Sequence, residues 1–248
     1  MEKQSSKIFG IRAIIEAINA GNSIDKVFLQ KDVNGALMTE LKQLIKNNNI
    51  TSSIVPVEKL DRMSRDNNHQ GAAALIAPIS FYDLDALITS TIEKGETPLF
   101  ILLDQISDVR NFGAIIRTAE CTGAHGVIIP KTGNAPINGE TVKTSAGAAF
   151  NVPICKVDHI KDAIFMLQAA DIQIVCATEK TEETVYDADF TKPTAIIMGS
   201  EDRGINPSIL KIVDVKVKLP LLGKISSLNV SVACGAFLYE TVRQRMNK

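Results

Sequence analysis

Three short stretches of this 248-residue chain carry the side chains best suited to chemistry. The first is Asp104-Gln-Ile-Ser-Asp-Val-Arg-Asn-Phe-Gly-Ala-Ile-Ile-Arg117. Arg110 and Arg117 lie two helical turns apart on roughly the same face. Such a pair can grip phosphate, as an RNA backbone requires, or lie solvated on the helix surface. Asn111 can cap a helix expected to start near Phe112, and Gly113 allows another backbone or a ligand to come close. The second stretch, Met198-Gly-Ser-Glu-Asp-Arg-Gly204, runs from a strand end into G-x-E-x-x-G. Gly199 and Gly204 suit a tight turn, where Glu201 can cap a helix, pair with Arg203 or offer a carboxylate to a ligand. The third, Leu219-Pro-Leu-Leu-Gly-Lys-Ile-Ser-Ser-Leu-Asn-Val-Ser231, is a turn punctuated by Pro220 and Gly223. Ser226, Ser227 and Asn229 can cap the long apolar helix that follows, or the turn backbone and the caps together can hold a ligand.

Other chemistries lack their residues. No G-x-G-x-x-G follows a strand, and no G-x-x-x-x-G-K-[ST] or G-x-S-x-G occurs. The three histidines, His69, His125 and His159, are scattered, so none is placed to serve a Ser or Cys nucleophile. The four cysteines, Cys121, Cys155, Cys176 and Cys234, are far apart with no C-x-x-C, which points to buried free thiols and away from a metal site.

The elements that must position these stretches follow from hydrophobic periodicity. Residues 8–21 read as an amphipathic helix ended by Gly21. Strands at Ile24–Leu29, Ser52–Val57 and Ala72–Ala77 alternate with helices at Ala36–Lys46 and Glu58–Ser64. These make a small α/β domain over 1–78, with ten basic against eight acidic side chains. Residues 79–97 read as a connector, in which the pattern over 82–92 admits a helix before the breaker cluster Lys94-Gly95-Glu96-Thr97-Pro98. From 98 to 248 the strands are apolar throughout: Leu99–Asp104, Val127–Pro130, Val152–Val157, Ile172–Ala177, Ala195–Met198 and Val213–Leu219. Helices are expected over Gly113–Gly123, Thr141–Ala148 and Ile160–Ala170, briefly after Pro207, and at the end of the chain. This alternation implies a parallel α/β sheet covered on both faces. Ligands of such sheets sit outside the carboxyl ends of the strands, where all three stretches fall.

An apolar content of 45% supports real cores, and a net charge of −1 excludes a globally basic nucleic-acid coat while allowing a local basic groove. No signal-peptide core and no apolar run of about 18 residues occurs, so a cytoplasmic protein with no membrane span is expected.

Taken together, the stretches N-F-G-A-I-I-R-T-A (111–119), I-M-G-S-E-D-R-G-I (197–205) and L-P-L-L-G-K-I-S-S-L-N-V-S-V-A (219–233) resemble, in order, spacing and strand context, the three motifs of the SpoU (TrmH-type) branch of the SPOUT RNA ribose methyltransferases. The resemblance covers residues 99–245. It implies a deep trefoil knot in the C-terminal domain, a homodimer with active-site groups from both chains, and S-adenosylmethionine as methyl donor. Gly199, Leu219, Leu228 and Gly204 match the cofactor-binding positions, and Asn111, Arg117, Glu201, Ser227 and Asn229 those assigned to catalysis. The N-terminal unit resembles the L30e-like substrate-binding domain of this family, with Gly10 opening a helix and His69-Gln70-Gly71 before the last strand. That domain order is most like the members that methylate a guanosine ribose of 23S rRNA, in the P-site loop. The alternatives are ribose methylation of another RNA, such as tRNA, or an RNA-binding homologue without catalysis. Asp202-Arg203 departs from the residues relatives often carry in the second motif, which bears on cofactor affinity.

Overall fold

The computed structural model describes residues 7–65, 68–200 and 203–246. The chain forms two compact units: the first runs to Ser80 and also takes in Pro136–Gly139, and the second is formed by the rest, Phe81–Ala135 and the residues from Glu140 onward. In the first, β1 (Lys7–Phe9), β2 (Ile24–Gln30), β3 (Ser52–Val55) and β4 (Ala72–Ile76) form a sheet of order β1-β4-β2-β3. Helices α1 (Ile11–Asn19), α2 (Ala36–Asn47) and α3 (Val57–Ser64) complete it. The continuous helix expected over 8–21 is broken. Lys7–Phe9 pair antiparallel with β4, and Gly10, at φ 93°, turns the chain into α1. The sheet's demand for a partner along β4 overrides a local pattern that reads as helix. Ile14, Ile15 and Ile18 of α1 pack with Met38, Leu41 and Ile45 of α2 on one sheet face, and Leu60 of α3 with Phe28 and Val55 on the other. His69 ties down the turn before β4: its Nδ1 accepts from Gly71 N–H at 3.0 Å and its Nε2 lies 3.0 Å from Asp61 Oδ1.

The second unit starts with α4 (Leu84–Glu93), in the stretch expected as a connector. Asp83 caps it by accepting from Ala86 N–H at 3.0 Å, and Leu84 and Ile88 are buried in this unit's core. Strands β5 (Leu99–Asp104), β6 (Gly126–Pro130), β7 (Ile154–Val157), β8 (Gln173–Ala177), β9 (Thr194–Gly199) and β10 (Val215–Val217) form a sheet of order β10-β8-β9-β5-β6-β7. Every pairing in it is parallel. Its helices are α5 (Val109–Cys121), α6 (Gly139–Thr144), α7 (Ile160–Ala169) and α8 (Val230–Met246). Phe100 and Leu102 of β5 pack under α4 and α7, while by strand alternation Ile101 and Leu103 face the opposite side. There α8 packs against α5 and β9, with Phe237 edge-on to Phe190 at 6.4 Å.

The helix expected after Pro207 is a run of turns. Asn206 Oδ1 accepts from both the backbone and the hydroxyl of Ser208, and Asp214 Oδ2 then takes Ile174 N–H at 2.7 Å, which draws the chain into β10 before a helix can propagate. Of the four cysteines, Cys121 at the end of α5 is exposed rather than buried, since its helix position faces away from the sheet. Burial pushes the thiols of Cys155, Cys176 and Cys234 up to about 12.

The last turn of α8 is sewn to the far end of the sheet. Arg245 donates from Nε to Phe190 O (3.0 Å), from Nη1 to Thr97 O (2.8 Å), and from Nη2 to Pro98 O (2.8 Å) and Lys192 O (3.0 Å). Gln244 adds bonds to Phe190 N–H and Ala188 O. Among the described residues no helix is long and apolar enough to cross a membrane.

Candidate active site

A cavity of about 640 Å³ opens at the carboxyl ends of β8, β9 and β10. That volume lies within the usual range for small-molecule sites. One wall is the segment leaving β9. Gly199 and Ser200 turn sharply, Gly204 N–H closes back on Ser200 O at 2.8 Å, and Gly204 takes φ +65°. The other wall is the segment from Lys218 to Asn229, and the base is built by Val230, Ala233 and Phe237 of α8. Met198, Leu219, Leu228 and Phe237 make one part of the lining apolar, while Thr178, Glu179, Lys180, Arg203 and Lys218 bring polar and charged groups.

Gly199, Gly204, Leu219, Ser227, Leu228 and Asn229, all singled out from the sequence, line this cavity. Asn229 is the cap of α8: its Oδ1 accepts from Ser231 N–H (3.0 Å), Ser231 Oγ (2.6 Å) and Val232 N–H (3.3 Å). Its Nδ2 donates to Asn111 Oδ1 at 2.9 Å, which joins the start of α8 to the start of α5. Asn111 therefore does not cap α5. That helix begins at Val109, and Asp108 accepts from the N–H groups of Arg110 (2.8 Å) and Asn111 (2.9 Å). A carboxylate at a helix N-terminus also meets the favourable end of the helix dipole, which explains why Asp108 takes the cap and leaves Asn111 to reach across.

Gly113 has its close approach, but to protein: an added Cβ would meet the Thr144 side chain and Ser145 N. Arg110 and Arg117 are exposed on α5, and neither lines the cavity. Glu201 lies outside the described residues. Thr178, Glu179 and Lys180 were not singled out from the sequence, nor was Phe237. The first three follow β8 directly, so the carboxyl-edge rule applied to every strand would have found them. Phe237 sits in a helix that reads as ordinary core.

Comparison with known proteins places these features in a family. Residues 98–239 match the model of the SpoU rRNA Methylase family, and residues 7–82 the model for RNA 2'-O ribose methyltransferase substrate binding. A Bacillus subtilis (strain 168) protein, YacO, bearing the name of a TrmH family tRNA/rRNA methyltransferase, is 32% identical over 245 residues, 99% of this chain and 98% of that one. A Staphylococcus saprophyticus protein of the same family name is 34% identical over 239 residues, 96% of this chain and 95% of that one. Among solved structures, the SpoU methyltransferase AviRb from Streptomyces viridochromogenes in complex with the cofactor AdoMet superposes with a TM-score of 0.63 at 25% identity, covering 98% of this chain and 91% of that one.

Proposed function

We propose, from the premise that this chain belongs to the SpoU rRNA methylase family, that it transfers a methyl group from S-adenosylmethionine to a ribose 2'-hydroxyl of RNA. The observation that carries the reading is the cavity walled by Gly199, Ser200 and Arg203–Ile205 on one side and residues of 218–229 on the other, with the Asn111–Asn229 bond at its rim. Its lining suits the cofactor. Leu219, Leu228, Met198 and Phe237 offer apolar surface to an adenine, the turn backbones at Gly199 and Leu219 offer hydrogen bonds, and the Glu179 carboxylate offers a partner to the cofactor's cationic groups.

When bound, S-adenosylmethionine supplies an already activated methyl, so the chain's work is to position the hydroxyl and help its proton leave. Arg117 serves by stabilising the developing alkoxide and gripping the neighbouring phosphate, because a guanidinium gives up its own proton too reluctantly to act as base. The Asn111–Asn229 amide pair holds the starts of α5 and α8 in register for this. Ser227 and Glu201 complete the set by family likeness, as does the deep trefoil knot through which the 218–229 segment would be threaded.

The 1–78 unit is read as the L30e-like module that grips the RNA, which the match of residues 7–82 supports. The favoured target is a guanosine of 23S rRNA in the P-site loop, on the strength of the domain order. A tRNA is the second reading, favoured by relatives whose names cover both RNAs. A homodimer fits two features. Arg117 is exposed away from its own cavity, and Val232 and Tyr239 of α8 with Leu222 and Ile225 of the neighbouring segment are exposed apolar side chains.

The decisive measurement is methyl transfer by Arg117→Ala together with calorimetry of cofactor binding. Binding should be retained and methylation should fall at least about a hundredfold; methylation near wild type would end the catalytic reading of Arg117. Mapping ribose-methylated positions in rRNA and tRNA from cells lacking the protein identifies the target. Loss of one 23S rRNA guanosine mark is expected, and loss of a tRNA mark would select the second reading.

A further inference from the structure

Asp104, the last residue of β5, is buried to 7% exposure, and among the described residues no ion pair offsets its charge. The other buried carboxylate of this unit, Glu240, has Arg243 at 2.7 Å. Burying a lone carboxylate is costly unless strong hydrogen bonds compensate, so its contacts indicate its task. Asp104 Oδ2 accepts from the backbone N–H of Asn206 at 2.9 Å, across 102 residues of sequence. Asp104 is also the ladder partner of Gly199 in the β5–β9 pairing. One residue thus holds both ends of the segment 199–206, Gly199 through the sheet and Asn206 through its carboxylate.

The two sides of that segment face different spaces. Gly199, Ser200, Gly204 and Ile205 wall the 640 Å³ cavity. Asp104 and Asn206 line a separate one of about 460 Å³ at the ends of β5, β6 and β7. Asp104 does not line the first cavity, so it acts on it only through the segment. We infer that Asp104 is a positioning residue for methyl transfer, whose carboxylate holds the two described arms of the turn, Gly199–Ser200 and Gly204–Asn206, in their cofactor-binding arrangement before the cofactor arrives. The inference rests on reading the first cavity as the S-adenosylmethionine site. Without the tie, the ligand would have to bring Gly204–Asn206 to Gly199–Ser200 itself, and that ordering reduces affinity.

The test uses the full chain and S-adenosylhomocysteine, the demethylated cofactor, in calorimetry. Asp104→Ala should bind it about tenfold or more weakly, and should raise KM for the methyl donor more than it lowers kcat. Asp104→Asn keeps an acceptor oxygen for Asn206 N–H and should bind within about threefold of wild type. An alanine variant that binds as wild type overturns the inference, as does an asparagine variant as weak as alanine. Amide exchange in the unmodified, cofactor-free protein gives a check that no substitution can spoil. The Asn206 N–H should be protected, and fast exchange there would overturn the inference. A wild-type chain that binds no S-adenosylhomocysteine would overturn the cofactor reading instead, while the exchange result stands apart from it.

Discussion

A Cβ on Gly199 would lie 2.3 Å from both the Gly204 carbonyl carbon and Ile205 N, distances no side chain tolerates. Gly199→Ala should therefore push the two arms of the turn apart, lower stability by about 1–3 kcal/mol, and abolish measurable cofactor binding; thermal unfolding and calorimetry read the two effects. Asn229 permits a finer separation. Asn229→Asp keeps the oxygen that caps α8 but loses the Nδ2 donor to Asn111, so urea unfolding should stay within about 0.5 kcal/mol of wild type while methylation falls. Asn229→Ala loses both and should cost about 1–2 kcal/mol as well. At this scale the sequence was legible where residue type and role are tightly coupled, as at Gly199 and Asn229. It was ambiguous at Asn111, because Asp108 three positions earlier is an equally good cap and the choice between them depends on a partner 118 residues away.

Among the elements, β5, β6, β8 and β9 were read to within a residue at each end, because strands buried on both faces leave few polar positions to confuse the pattern. The strands expected over Val152–Val157 and Val213–Leu219 shorten to Ile154–Val157 and Val215–Val217. β1 was hidden, since Ile8 falls in phase with the apolar face of α1 and only β4 reveals Lys7–Phe9 as a strand. The stretch after Pro207 was misread as helical for the converse reason: Asn206 serves a turn, and side chains such as Asp214 bond to distant strands. One connection between elements has a pH signature. His125 Nδ1 accepts from Leu99 N–H at 3.0 Å, at the entry to β5, which only a ring unprotonated at that nitrogen can do. Burial lowers its pKa below the usual 6.5, against the opposing pull of Glu96. The unfolded chain therefore binds the proton more readily, so stability should fall as pH drops through about 6.5 toward the lower folded value. Urea unfolding between pH 7.5 and 5 should show this slope, and His125→Gln should flatten it.

For the whole molecule, the strand order β10-β8-β9-β5-β6-β7 could not be read from periodicity, which finds strands but not their neighbours. The family resemblance supplied the expectation of how the motifs meet. The net charge of −1 leaves RNA affinity to local cations, so binding of the RNA should weaken roughly tenfold or more between about 50 and 200 mM salt, even with two phosphates engaged, while cofactor binding should change little. Titrations at both salt concentrations compare the two directly. The Arg245 clamp has a consequence for the order in which the chain can mature. The acceptors of its bonds lie 53 to 148 residues upstream, so during synthesis the carbonyls of Thr97, Pro98, Phe190 and Lys192 are made long before their donor. The first unit, whose strands all lie between Lys7 and Ile76, can fold while the rest is still being translated. The second cannot close its final contacts until α8 has left the ribosome, so a nascent chain stalled before Arg245 should carry a folded N-terminal unit and a second unit without its last fastening.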